Sequence, residues 1–169
     1  MKHPRFLSAA SIIACAGTVA FLLGATHGSA QDASASPAAA AAGKTADTEF
    51  GDGVTVELIS VTRGDNDLTV KFKYTNSGSK TAEFYHSNYG HQNIAAVVYY
   101  IDPKNKKKYT AIQDSEGKPV ASLGESIRLE AGASKAQWVK LPAPPADTTT
   151  ITVVLPGAPP FEKVPIAAQ

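Results

Sequence analysis

The chain has 169 residues, 16 Lys and Arg against 15 Asp and Glu, and a formal net charge of +1. A balance this near neutrality excludes the broad basic field that recruits nucleic acid. Hydrophobic residues make up 43% of the chain, enough for one packed core, and a single cysteine excludes an internal disulfide framework.

The N-terminus has the pattern of an export signal. "MKHPRF" carries Lys2 and Arg5, an apolar run covers 6–25, and the small residues Gly28 and Ala30 precede a cut before Gln31. A positive start, an apolar middle and a small-residue cut define a secretory signal peptide over 1–30. The expected location is therefore periplasmic or secreted. Two other attachments compete with it. "IIAC" resembles a lipobox that would tether the protein through Cys15, and the uncleaved run approaches the roughly 20 residues that span a bilayer. After cleavage no transmembrane span is expected. Removing Lys2 and Arg5 leaves 14 basic against 15 acidic residues.

Residues 31–47, "QDASASPAAAAAGKTAD", contain no large apolar side chain. Such a segment buries too little surface to offset its chain entropy, so it is expected to be a disordered, flexible tether. The folded domain is then expected over 48–169.

From there the pattern is strand, turn, strand. "VTVELISV" (54–61) alternates through Val54, Val56 and Leu58, then changes phase at Ile59 and Val61, which predicts a bulge or a change of sheet. "LTVKFKYTN" (68–76) puts Leu68, Val70, Phe72 and Tyr74 on one face and Lys71 and Lys73 on the other, the pattern of a half-buried antiparallel strand. "SGSK" is a turn and "TAEFYHS" a short strand. "NIAAVVYYID" (93–102) is apolar on both faces, as a central strand would be. "PKNKKK" turns into "KYTAIQ", and the loop "DSEGKPVASLG" follows. "ESIRLEA" alternates Ile127 and Leu129, and "KAQWVKL" is expected to point Trp138 inward. "PAPPAD" is a proline corner, "TTTITVVLP" the last long strand, and "PFEKVPI" closes with Phe161, Val164 and Ile166 covering an edge. Seven to eight short strands without an amphipathic helix predict an all-β fold, a single immunoglobulin-like antiparallel β-sandwich.

The succession "TVELISVTRGDNDLTVKFKYTNSGSK", "VVYYIDPKNKKKYTAIQDSEGKPVAS" and "LPAPPADTTTITVVLPGAPPFEKVPI" resembles an uncharacterised family of exported bacterial immunoglobulin-like domains. The likeness covers 54–166. It rests on the "YxxDPxxxKKY" hairpin ending at Tyr109, the turn at 114–117 and the proline-rich ending. The resemblance implies a cell-envelope location and supplies no catalytic residues.

The stretch "FYHSNYGHQN" (84–93) is the leading candidate site. Tyr85, His86, Asn88, Tyr89, His91 and Gln92 combine rigid aromatic area with adaptable hydrogen bonding, the chemistry of a recognition loop. His86 and His91 are also a candidate pair of copper or zinc ligands. A complete site needs more ligands, and the third would be a carboxylate such as Glu83, Asp102 or Asp114. The lysines at 104, 106, 107 and 108 (Lys104, Lys106, Lys107, Lys108) are a candidate contact for an anionic surface. They equally suit a solvated hairpin tip that blocks edge pairing.

Catalytic templates fit poorly. "SGSK" (77–80) matches S-x-x-K by letter but sits on a turn, without its partner motifs. No nucleophile elbow, phosphate loop or H-E-x-x-H is present, and "DSEG" is too short for a calcium loop. The expected role is a non-catalytic envelope binding module with no cofactor, whose partner is an envelope protein or glycan and not nucleic acid. The alternative is a periplasmic metal binder using the histidine loop.

Overall fold

The computed structural model describes residues 43–85 and 93–168, all within one compact unit, Ser34–Gln169. The signal segment 1–30, Cys15 and the tether as far as residue 42 lie outside the described residues. Among the described residues no helix is long and apolar enough to cross a membrane.

The fold is all-β. In chain order the strands are β1 (Lys44–Asp47), β2 (Val54–Arg63), β3 (Asp67–Asn76), β4 (Ala82–Tyr85), β5 (Tyr99–Asp102), β6 (Lys107–Thr110), β7 (Ser126–Leu129), β8 (Ser134–Pro142), β9 (Thr150–Val154), β10 (Phe161–Pro165) and β11 (Ala167–Ala168). One sheet has the order β1-β2-β3-β8, with β11 also paired to β2. A second has the order β10-β9-β5-β6, and β4 and β7 form a two-stranded ribbon. All pairs are antiparallel except β11 with β2.

Among the described residues there are eleven strands where seven or eight are expected. The additional ones are β1, β10 and β11, which are short or carry little apolar alternation. The expected tether over 31–47 also ends earlier, because β1 occupies 44–47 and pairs in register with Thr55–Leu58 of β2. "KTAD" has no large apolar side chain. It is held through its main chain along an open edge, a force that hydrophobic patterning does not reveal. Lys44 Nζ adds a 2.6 Å hydrogen bond to the Glu162 carbonyl of β10.

The two longest strands follow their alternation. Val54, Val56, Leu58 and Val61 of β2 are buried, and so are Leu68, Val70, Phe72 and Tyr74 of β3. The register between them shifts between Leu58 and Ser60, so Ile59 is the predicted bulge. The expected long strand over 93–102 is divided. Ile94–Val97 forms a 3-10 turn capped by Asn93, whose Oδ1 accepts from Ala95 N–H. Only β5 beyond it is a central strand, flanked by β6 and β9.

Trp138 is a correction. It points outward and is 38% exposed, while Gln137 is buried. Val139 and Leu141 set the inward phase of β8, and Gln137 follows that phase because Ser122 Oγ donates to its Oε1 at 2.7 Å. A buried polar group is tolerated when it is paired.

A single apolar core draws on β2, β3, β4, β5, β7, β8, β9 and β10. Two tyrosines tie the larger sheets together reciprocally. Tyr74 of β3 donates to the Pro156 carbonyl at 2.9 Å, beyond the end of β9. Tyr100 of β5 donates to the Pro142 carbonyl at 2.7 Å, at the end of β8. A buried phenol needs an acceptor, and these two main-chain carbonyls supply it. Phe50 stacks on Phe84 with ring centroids 3.8 Å apart and packs on Gly157. A Cβ at Gly157 would lie 2.3 Å from the Phe50 ring, and its φ of +70° also favours glycine.

Candidate binding surfaces

The leading loop, 86–92, lies outside the described residues, and with it His86, Asn88, Tyr89, His91 and Gln92. The structure shows what holds its two ends. On the entering side Tyr85 is the last residue of β4, opposite Ser126 of β7. β4 buries Phe84 and Ala82, and β7 buries Ile127 and Leu129. That alternation leaves Tyr85, Glu83 and Arg128 on the outer face. On the leaving side Asn93 closes the cap of the 3-10 turn, and Ile94 and Ala95 are buried.

Tyr85 is 45% exposed. A hydrogen bond with the Glu83 carboxylate is the main cause that raises its hydroxyl above the ordinary tyrosine range. Arg128 lies 3.5 Å from Glu83 and 2.9 Å from Glu130, and Thr81 donates to Glu130 at 2.6 Å. The Thr81 hydrogen bond, with Arg128 next, holds the Glu130 carboxyl below its usual range. Behind this ribbon, Asn76 Nδ2 donates to the carbonyls of Lys80, Leu129 and Glu130. Asn76 thereby fastens the β4–β7 ribbon to the end of β3.

The lysine hairpin is organised by Asp102, the aspartate of its "YxxDPxxxKKY" pattern and one of the expected third metal ligands. Asp102 is fully buried. Its Oδ1 accepts from the N–H groups of Lys104 and Asn105 at 3.0 and 3.1 Å. Its Oδ2 accepts from Asn105 Nδ2 at 2.8 Å and Thr148 Oγ1 at 2.9 Å. Burial alone pushes this carboxyl up, but the donors from Asn105, Thr148 and Lys104 outweigh it and hold the group below its usual range. The signal was available: Asp-Pro-x-Asn at a hairpin start is an Asx-turn pattern. Nearby, Arg63 at the end of β2 donates to the carbonyls of Pro144, Pro145 and Thr148, gripping the proline corner.

The four lysines are not equivalent. Lys104 pairs with Asp147, and that hydrogen bond lowers the Asp147 carboxyl. Lys108 Nζ sits 3.8 Å above the centroid of the Tyr99 ring. Lys106 takes the left-handed turn conformation at φ 52°. Lys106 and Lys107 are exposed, and neither has an ion-pair partner among the described residues.

The three carboxylates considered as third metal ligands all have other partners. Asp102 is enclosed in its hairpin, Glu83 faces Arg128, and Asp114 Oδ1 accepts from Glu116 and Lys118 N–H groups at 2.9 Å. Among the described residues no group of three or more His, Cys, Asp or Glu side chains is placed to hold a metal.

No family model, curated protein or solved structure matches this chain.

Proposed function

We propose that this chain is an exported cell-envelope binding module, built on an immunoglobulin-like sandwich and acting by recognition rather than catalysis. Two larger sheets that share one core and exchange tyrosine hydrogen bonds support the sandwich reading. The export signal and the resemblance to exported domains support the location.

The observation that carries the recognition role is how the loop 86–92 is mounted. It leaves from a paired strand end at Tyr85 and returns into a capped turn at Asn93, both backed by buried side chains. A rigid scaffold presenting an aromatic and amide-rich loop is the arrangement that binding loops use. Tyr85 extends that surface onto the ribbon, and the lysine hairpin offers a second contact.

The test is co-sedimentation of the exported chain with isolated envelope fractions. Tyr89→Ala/His91→Ala is expected to fold normally and to lose most of its envelope-bound fraction. Unchanged sedimentation of that variant would remove the loop from the binding surface. Calorimetric titration with Cu²⁺ and Zn²⁺ separates the metal reading from the recognition reading. Micromolar binding that disappears in His86→Ala/His91→Ala, and that weakens below about pH 6 as the imidazoles protonate, would convert the loop into a metal site.

A further inference from the structure

The outward face of the β1-β2-β3-β8 sheet carries a second surface, independent of the loop. Trp138 stands exposed on β8, the end strand of that order, beside β3. Ser122 holds the tryptophan's main chain through two hydrogen bonds: Trp138 N–H donates to Ser122 Oγ at 2.7 Å, and Ser122 N–H returns to the Trp138 carbonyl at 2.9 Å. Lys71 of β3 lies directly opposite Trp138 in the register, so the two side chains are neighbours on one face.

The charges on this face are distributed unevenly. Lys73 pairs with Glu57 at 2.7 Å, and Lys140 pairs with Asp67 at 2.6 Å. Lys71 is exposed and has no partner among the described residues. One uncompensated ammonium therefore stands beside one exposed indole. Lys71 and Lys140 also line a polar cleft of about 470 Å³, shared with Thr62, Thr69, Asn66 and the two carboxylates Asp65 and Asp67. Its size is that of a small-ligand site.

We propose that this face binds an acidic saccharide, with a sugar ring stacked on Trp138 and its carboxylate on Lys71. The chemistry is specific to that class. A pyranose presents a face of C–H groups that packs flat on an indole, and its hydroxyls both donate and accept. The hydroxyls, amide and two carboxylates of the cleft meet those needs. The unpaired Lys71 supplies the charge complement of a uronic acid. A protein partner would require a broader apolar centre than one indole among threonines and lysines. A nucleic acid would require a basic field that the near-neutral chain lacks.

Trp138 is the only tryptophan in the chain, so its emission reports the site directly. The experiment titrates the full chain with tetragalacturonic acid and with its neutral methyl ester, by fluorescence and calorimetry. A saturable emission shift is expected, with the acid binding about 10-fold more tightly than the ester, the worth of one charge-assisted hydrogen bond. Trp138→Ala is expected to abolish the heat of binding. Lys71→Met keeps the alkyl stem and is expected to erase the preference for acid over ester, and Lys71→Arg to retain it. Tyr89→Ala/His91→Ala is expected to bind both sugars as the unaltered chain does. Emission unmoved by either sugar overturns the proposal, and so does an acid preference that survives Lys71→Met. An emission that depends on protein concentration alone would make the face a contact between copies and equally overturn it. If the loop variant loses sugar binding and Trp138→Ala does not, this inference falls while the loop reading stands.

Discussion

Two lysine-bearing regions of this protein differ in what their charge is used for. In the β5–β6 hairpin Lys104 is committed to Asp147 and Lys108 to the Tyr99 ring, while Lys106 and Lys107 stay exposed without ion-pair partners among the described residues. The hairpin is organised around a buried carboxylate, Asp102, that the lysines surround without pairing to it. On the outer sheet face the lysines are sparse, yet Lys71 is unpaired and stands next to an exposed indole. The hairpin therefore keeps two unpaired lysines to the sheet face's one, and what sets Lys71 apart is the indole beside it.

The sharpest way to break this comparison is to remove the organiser of the hairpin. Asp102→Ala removes the acceptor shared by Thr148 Oγ1, Asn105 Nδ2 and two turn N–H groups. It is expected to cost about 2–4 kcal/mol in urea unfolding, with an unchanged denaturant slope. A loss well under ~1 kcal/mol would show that the hairpin does not depend on its carboxylate.

The same group sets a pH dependence. Its folded carboxyl lies below the ordinary value, so its stabilisation is complete above the unfolded pKa of about 3.9. That stabilisation is lost as pH falls through the lower folded value. The difference in Tm between the unaltered chain and Asp102→Asn is therefore expected to be constant near neutrality and to narrow below about pH 4. A difference that widens in acid would contradict the lowered pKa.

The cross-sheet tyrosines come next. Tyr100→Phe leaves the Pro142 carbonyl without its phenol, and Tyr74→Phe does the same to Pro156. Each is expected to cost about 1–2 kcal/mol. Burial pushes the Tyr100 hydroxyl well above the ordinary tyrosine range, so ultraviolet titration should show a phenol, absent in Tyr100→Phe, that ionises above that range.

The smallest effects sharpen the contrast between the lysine surfaces. Lys106→Ala, Lys107→Ala and Lys71→Ala all alter exposed side chains without ion-pair partners, and each is expected to leave stability within about 0.5 kcal/mol. Of the three, only Lys71→Ala should reduce binding of the acidic sugar. Equal losses at Lys107 and Lys71 would mean that overall charge, and not the indole-flanking position, governs binding.

Alternation of apolar side chains is a local property, and what depended on it was legible in the sequence. The inward faces of β2 and β3, the bulge at Ile59, the lysine turn and the all-β class all follow from residues within a few positions of one another. Even the outward phase of Trp138 was present in the pattern, because Val139 and Leu141 outvote it, although the large apolar tryptophan suggested the opposite. Tertiary structure alone decided the rest. β1 gains its place from main-chain pairing that no side chain announces. Gln137 is buried because Ser122, 15 residues earlier, pairs with it. Lys140 is neutralised by Asp67 across 73 residues, and Lys104 by Asp147 across 43, which leaves Lys71 as the unpaired charge beside Trp138. Ion pairs and buried hydrogen bonds join groups brought together by the fold, and one strand's pattern carries no record of which distant strand will lie beside it.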